Sequence, residues 1–311
     1  MRSIYKLLTS KVFYKWMISY VIVLSIPTII IGYFFYSRTS LLMDEKNVED
    51  YRQRVENFSV AADGKLKDIN RIGVMLSESS WVKKVMDYNE NKNDEFDPLL
   101  LMQIKKELLN YRTLNPVIEY ISVVFPYGDC VLTNDGIDDI DFFINHTNAF
   151  SAQEAGNILD GIKEYNYFKI LNYSTVNIFG KSDEVVPIIQ SLNYSSTMTP
   201  RATMIALVNK NVLMEMAEKE IQGKSGITCM VIFPDGAVID NAGGVSGSVL
   251  PEECFDEEVK NGVYKTETNH VFVEASRYAP WKYAFMVSEA LMVSRPRNLV
   301  VFIPAITLGS F

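Results

Sequence analysis

The chain has 311 residues, of which 48% are hydrophobic and 22% charged, a composition that buries a core rather than staying disordered. Its formal net charge of -8 is unevenly spread, because residues 1–36 hold Arg2, Lys6, Lys11 and Lys15 and none of the 38 acidic residues. The acidic remainder argues against nucleic acid as a direct partner, since phosphate binding needs a basic face, and is compatible with a cationic or zwitterionic small ligand.

Residues 1–15 read as a basic cytoplasmic terminus. Trp16 to Tyr36 carries no charge and matches the roughly 20 apolar residues that cross a bilayer as a helix. Trp16 and Tyr20 at one end, and Tyr33 and Tyr36 at the other, sit where aromatic belts form. A cleaved leader would end in small residues, whereas this stretch ends in Gly32-Tyr33-Phe34-Phe35-Tyr36. The reading is an uncleaved anchor over 16–36. The basic residues before it hold the amino terminus inside and place residues 37–298 outside the cell. A second uncharged run, Leu299 to Phe311, reads as the start of another span after a linker from 291, as in a multi-pass protein of the cell membrane.

Beyond the anchor, Val48, Tyr51, Val55, Phe58, Ala62, Leu66, Ile69, Ile72 and Leu76 step by three or four residues, which predicts a long stalk helix over 37–80. Such a stripe can pack on its own domain and on a second copy, so a homodimer through this helix is expected. A further helix is expected at Pro98 to Tyr111. Strand patterns follow at Ile118 to Phe125 and Cys130 to Thr133, with Asn134-Asp135-Gly136 as turn residues. Val-Val-Phe-Pro-Tyr-Gly-Asp from Val123 has a counterpart in Val-Ile-Phe-Pro-Asp-Gly from Val231. One module used twice is the simplest account, with boundaries at 81–200 and 201–290. Other strands are expected at Val185 to Leu192, Ala202 to Val208, His270 to Arg277 and Trp281 to Val287. Helices are expected at Ser151 to Glu164 and Asn209 to Ile221. The fold class is therefore α+β: a long N-terminal helix, then two antiparallel-sheet modules, PAS-like in layout.

No metalloprotease, nucleotide-binding or nucleophile-elbow motif occurs. Asp138-Asp139-Ile140-Asp141 lacks the spacing and glycine of a calcium loop and reads as a solvated acidic loop. No catalytic residues, metal or cofactor are expected, and the chain is not read as an enzyme. The cysteines Cys130, Cys229 and Cys254 form no C-x-x-C pair; buried free thiols are expected, with a disulfide in one pair, which spacing does not choose, as the alternative.

The order of span, long helix, two hairpin-bearing modules and second span resembles a double Cache (dCache) extracytoplasmic sensor domain. Ala279-Pro280-Trp281-Lys282-Tyr283 is similar to the last strand of that domain. More narrowly, Ser19-Tyr20, Ile26-Pro27, the run Val123 to Asp129, the run Val186 to Leu192 and Pro200-Arg201-Ala202-Thr203 resemble the sensor half of membrane-bound AraC-family transcription regulators of Firmicutes. Sensor histidine kinases and chemoreceptors share the look. The resemblance implies a small extracellular ligand in the membrane-distal module and DNA contact only through an output domain beyond this fragment. By position, Tyr120, Ser122, Tyr127, Asp129, Phe143, Tyr165 and Tyr167 would line the pocket, whose aromatic faces suit a sugar or a cationic solute. The Arg-x-Trp-Tyr set of amino-acid-binding relatives is not found. A membrane-tethered interaction domain without a small ligand is the competing reading.

Overall fold

The computed structural model describes residues 11–91, 97–148, 150–178, 181–194, 198–222, 225–241, 250–256 and 261–292. The apolar run Leu299 to Phe311, the glycines Gly243-Gly244 and the first ten residues lie outside them. The fold is mixed helix and antiparallel sheet, as expected. Two compact units divide the chain at Tyr51/Arg52 and again at Val287/Ser288.

The long helix α1 spans Lys11–Glu78 without interruption, with Pro27 inside it. Its N-terminal part, in the first unit, is long and apolar enough to cross a membrane by length and composition, and none of the apolar window is buried. Pro27 removes one backbone donor there without ending the helix. In the same unit Asn47 Nδ2 donates to the Met292 carbonyl at 2.9 Å, tying α1 to the short helix Glu289–Met292.

In the second unit the 3.6-residue stripe behaves as its spacing dictates. Val55, Phe58, Ala62, Leu66, Ile69, Ile72 and Leu76 are all buried, and burying each large side chain contributes about 1.5–3 kcal/mol. Two further helices follow, α2 (Ser80–Asn91) and α3 (Pro98–Leu114). Asp97 caps α3 by accepting from the Leu99 N–H at 2.9 Å, and Pro98 supplies the preset first-turn φ.

The first sheet contains β1 (Ile118–Phe125), β2 (Cys130–Thr133), β3 (Ile137–Asp138), β4 (Lys169–Ile170), β5 (Ser174–Ile178), β6 (Lys181–Tyr194) and β7 (Pro200–Asn209). Its order is β3-β2-β1-β7-β6-β4, with β5 also on β6. One face meets α1, where Gln190 Nε2 donates to Asn70 Oδ1 at 2.9 Å. Gly73 permits this approach, since a Cβ there would strike the Gln190 amide. The other face meets α4 (Ala152–Lys163), whose capping box joins Ser151 and Glu154.

Pro187 sits inside β6, where a proline would normally break a ladder. Its carbonyl accepts from Leu171 N–H at 2.9 Å, so its ring nitrogen faces the gap where β6 changes partner from β5 to β4. The gap makes that position tolerant.

Helix α5 (Lys210–Ile221), capped by Asn209, leads into the second sheet: β8 (Ile227–Ile232), β9 (Val238–Asp240), β10 (Asn261–Lys265), β11 (Asn269–Ala275) and β12 (Lys282–Ser288). Its order is β10-β11-β12-β8-β9. Reversed, this reads β9-β8-β12-β11-β10, matching β2-β1-β7-β6-β5 strand for strand. The short repeat seen in sequence is thus a repeated topology. The boundary expected at 200/201 falls at the start of β7, which pairs with β1 and β6 inside the first sheet. Pairing of strands far apart in sequence, which no local pattern carries, puts β7 there.

Asp138, Asp139 and Asp141, expected as a solvated loop, organise a tight helical turn. Asp138 accepts from Thr147 Oγ1 at 2.9 Å, Asp139 from Phe142 N–H at 2.6 Å, and Asp141 from Asn145 Nδ2 at 2.8 Å.

The three cysteines are free and buried. Burial pushes the Cys130 and Cys229 thiols up to about 12. Burial raises Cys254 to about 11, with Lys282 pulling the other way. A raised folded-state value means the native chain holds these protons more tightly than the unfolded one. The contribution is complete below the unfolded thiol value of about 8.5 and fades as pH climbs through the folded values. Thermal midpoints should therefore decline above about pH 8. Cys229→Ala should make that decline shallower, and an unchanged slope would show that the thiol is not the titrating group.

Candidate functional site

The inner face of the first sheet is the first candidate. Along β1, Tyr120, Ser122 and Val124 alternate onto it, facing Ile205 and Leu207 of β7 in one buried cluster that also contains Phe143 and Ile158. Tyr120 and Phe143 lie with ring centroids 6.4 Å apart. Ser122 is buried and donates to the Ile205 carbonyl at 3.5 Å. Burial raises the Tyr120 phenol above its ordinary range, so it stays a neutral donor.

A five-residue π-helical turn, Phe143–Thr147, presents Phe143 and Ile144 to this cluster. Such turns are rare and recur at functional sites. Asn148 follows it, 0% exposed, with its backbone N–H donating to the Phe143 carbonyl at 3.0 Å. Both polar atoms of its side chain are buried without a partner. Leaving a buried amide unsatisfied costs about 1–3 kcal/mol per group, and each such group calls for an explanation. A ligand that donates to and accepts from the amide supplies one. No local pattern in His146-Thr147-Asn148 flags this residue in the sequence.

Of the seven residues expected to line a pocket, three meet on this face: Tyr120, Ser122 and Phe143. Tyr127 lies exposed in the turn Pro126–Gly128. Asp129 ends that turn at φ 47° and accepts from Ile140 N–H at 3.3 Å, holding the following loop. Tyr165 is half-buried and Tyr167 exposed, in the segment after α4. Neighbouring Phe168 packs edge-on against Tyr278 of the second module at 5.3 Å. These four do not join the other three.

The second module has a cavity of about 700 Å³ at the β11–β12 end of its sheet, bordered by Phe233, Phe255, Glu274, Trp281 and Lys282. Lys282 Nζ donates to the carbonyls of Cys254, at 3.1 Å, and Asp256. Glu274 is buried, and burial raises its carboxyl above the ordinary range.

No protein-family model matches the chain, and no curated protein matches it. Solved structures do. The extracellular domain of vpHK1S-Z8, described as a histidine kinase, matches at TM-score 0.58 and 10% identity over 84% of this chain and 99% of that one. A domain of a Vibrio parahaemolyticus protein described as sensory box/GGDEF family matches at 0.57 and 8%, over 80% and 99%. The periplasmic sensory domain of the Campylobacter jejuni chemoreceptor Tlp1 matches at 0.56 and 11%, over 81% and 98%. At such identities the likeness is one of fold, and the chain has the architecture of these extracytoplasmic sensory domains.

Proposed function

We propose that the chain is the ligand-sensing region of a membrane-anchored bacterial signalling protein of the dCache type, and that it catalyses nothing itself. The observation that carries this is a sensory-domain fold built on a helix whose other end is apolar over a membrane's thickness. In this reading residues 16–36 span the membrane, the two modules lie outside, and the first module is membrane-distal. A small ligand sits against the inner face formed by Tyr120, Ser122, Phe143 and Asn148. Its binding biases two arrangements of that module, to the extent that the ligand prefers one of them, and α1 carries the bias to the membrane. The output is an AraC-family DNA-binding domain beyond this fragment, as the sequence resemblance suggests. A histidine kinase or chemoreceptor output works by the same route.

A homodimer is part of this reading. Val74 and Met75 of α1 and Leu99, Met102 and Leu109 of α3 are exposed apolar side chains on faces that a second copy would cover. The same residues would serve a protein partner in the competing interaction-domain reading.

The test is thermal unfolding of the 311-residue chain in detergent micelles against sugars, amino acids, polyamines and cationic osmolytes. A saturable rise in midpoint is expected with one chemical class, because a ligand that prefers the native state stabilises it by mass action. Asn148→Leu should abolish the rise. A rise that survives Asn148→Leu would remove the inner face as the site, and no rise across the panel would favour the interaction domain.

A further inference from the structure

A separate cleft of about 230 Å³ lies where the two modules of the second unit meet. It is lined by Gln153 and Asn157 of α4, by Tyr173 of the β4–β5 connection, by Ser174 and Pro187 of the first sheet, and by Asp235 from the β8–β9 turn of the second. Its floor exists because β6 changes partners at Pro187, which lets residues 171–173 leave the sheet between β4 and β5. Two contacts cross from module to module beside it. Asn172 Nδ2 donates to Asp235 Oδ2 at 2.7 Å, and the Tyr173 and Phe233 rings lie 6.3 Å apart.

The chemistry of the lining is selective. Both carboxylates are engaged: Glu154 accepts from the Ser151 N–H at 2.9 Å in the capping box, and Asp235 accepts from Asn172 and from the Ala237 N–H at 3.0 Å. The capping box also occupies the start of α4, so that helix end is not open to an anion. Both carboxylates keep their charge, which disfavours an anion, and the remaining donors and acceptors of the lining are neutral. Ser174 is 3% exposed and its hydroxyl is buried without a partner. Gln153 and Asn157, four residues apart, share one helix face, and each carboxamide both donates and accepts. Tyr173 adds an aromatic ring with a polar tip. The volume lies below the roughly 300 Å³ at which pockets for drug-sized ligands begin, so a single ring is the largest fitting body.

We propose that this cleft binds one uncharged polyhydroxylated ring, of the monosaccharide or cyclitol class, held between the two modules. The carboxamides and the Ser174 hydroxyl exchange hydrogen bonds with ring hydroxyls, and Tyr173 covers an apolar face of the ring. Because Asp235 and the Asn172 bond belong to the same cleft, occupancy fixes one module against the other. The site is distinct from the inner face that carries Asn148.

The experiment is calorimetric titration of the full chain in micelles with D-glucose, D-galactose, D-ribose and myo-inositol, and with glycine betaine as zwitterionic and acetate as anionic control. At least one of the four should bind saturably, and the controls should not. Asn157→Leu and Tyr173→Ala should each weaken binding by about tenfold, the equivalent of one lost interaction of about 1.4 kcal/mol, while Asn148→Leu should leave it unchanged. Asn157 is exposed, so its variant keeps the test valid if Tyr173→Ala fails to fold. The inference is overturned if none of the four binds, if both cleft variants bind as the wild type does, or if betaine or acetate competes for the site. Binding abolished by Asn148→Leu alone would place the sugar on the inner face, sinking this inference and sparing the sensor reading.

Discussion

Phe58→Ala is expected to lower the unfolding free energy by about 3–5 kcal/mol, the range for deleting a buried aromatic side chain. Phe58 is 0% exposed on α1. Its ring meets Tyr283 edge-on at 4.9 Å and stacks on Phe285 at 5.9 Å. The loss combines the transfer free energy of the ring, the cavity left behind, and roughly 0.5–1.5 kcal/mol per aromatic pair. The site cannot collapse easily. Tyr283 and Phe285 are fixed by the pairing of β12 with β8, and Val55 and Ala62 on the same helix face are already buried. Val60→Ala is the control: Val60 is 56% exposed on the same helix, and such a surface change should stay within about 0.5 kcal/mol. Chemical denaturation followed by circular dichroism separates the two. A Phe58→Ala loss no larger than that of Val60→Ala would mean that α1 does not lean on the second sheet.

The residues that were legible in sequence are those whose partners lie at a fixed local offset. The stripe from Val55 to Leu76 shows its period without knowledge of what it packs against, and the same holds for β1, β6, β7, β11 and β12, which are apolar along most of their length. Strands β5 and β10 were not legible. Ser174–Ile178 is polar at alternate positions and Asn261–Lys265 is short, with a glycine and only two apolar residues, and each earns strand status from a single neighbour, β6 or β11. The module boundary failed for a related reason. Strand β7 follows its hairpin partner β6 closely yet also pairs with β1, some eighty residues earlier by the register Ser122↔Ile205, and only the assembled sheet reveals that. The candidate site was half legible. Tyr120, Ser122 and Phe143 lie on or beside an apolar strand, so their inward placement follows from alternation and the turn. Asn148, Ser174 and Asn157 matter because of what they fail to pair with or what they face across a cleft. Those are properties of three-dimensional neighbours, and no spacing in one chain encodes them.

Asp63→Ala carries the second large effect, an expected loss of about 3 kcal/mol, typical when a charged acceptor is taken from several donors at once. Asp63 Oδ1 accepts from Ser276 Oγ at 2.6 Å and from the Tyr283 hydroxyl at 2.8 Å, and Oδ2 accepts from the Arg277 N–H at 2.8 Å. One carboxylate on α1 thus gathers three donors from the β11–β12 connection and the start of β12. Truncation leaves the Tyr283 hydroxyl, on a side chain that is 0% exposed, without its acceptor. Burial first, and the Asp63 charge second, hold the Tyr283 phenol well above its ordinary value, so it remains a donor wherever the protein is folded. Asp63→Asn should fall between wild type and alanine, because the amide keeps one acceptor and turns the other into a donor. Tyr283→Phe combined with Asp63→Ala should cost less than the sum of the two, since both remove the same bond. Full additivity would show that the pair is not coupled. In a sensor the consequence goes past stability. The carboxylate is a fixed joint between α1 and the second module, so Asp63→Ala should leave ligand affinity at the first module's inner face nearly intact. It should weaken the transfer of ligand-induced change to α1, readable as a smaller ligand-dependent shift of a probe at the helix's exposed Val60. An unaltered shift in that variant would mean the bias reaches the helix through the first sheet alone, by way of Gln190 and Asn70.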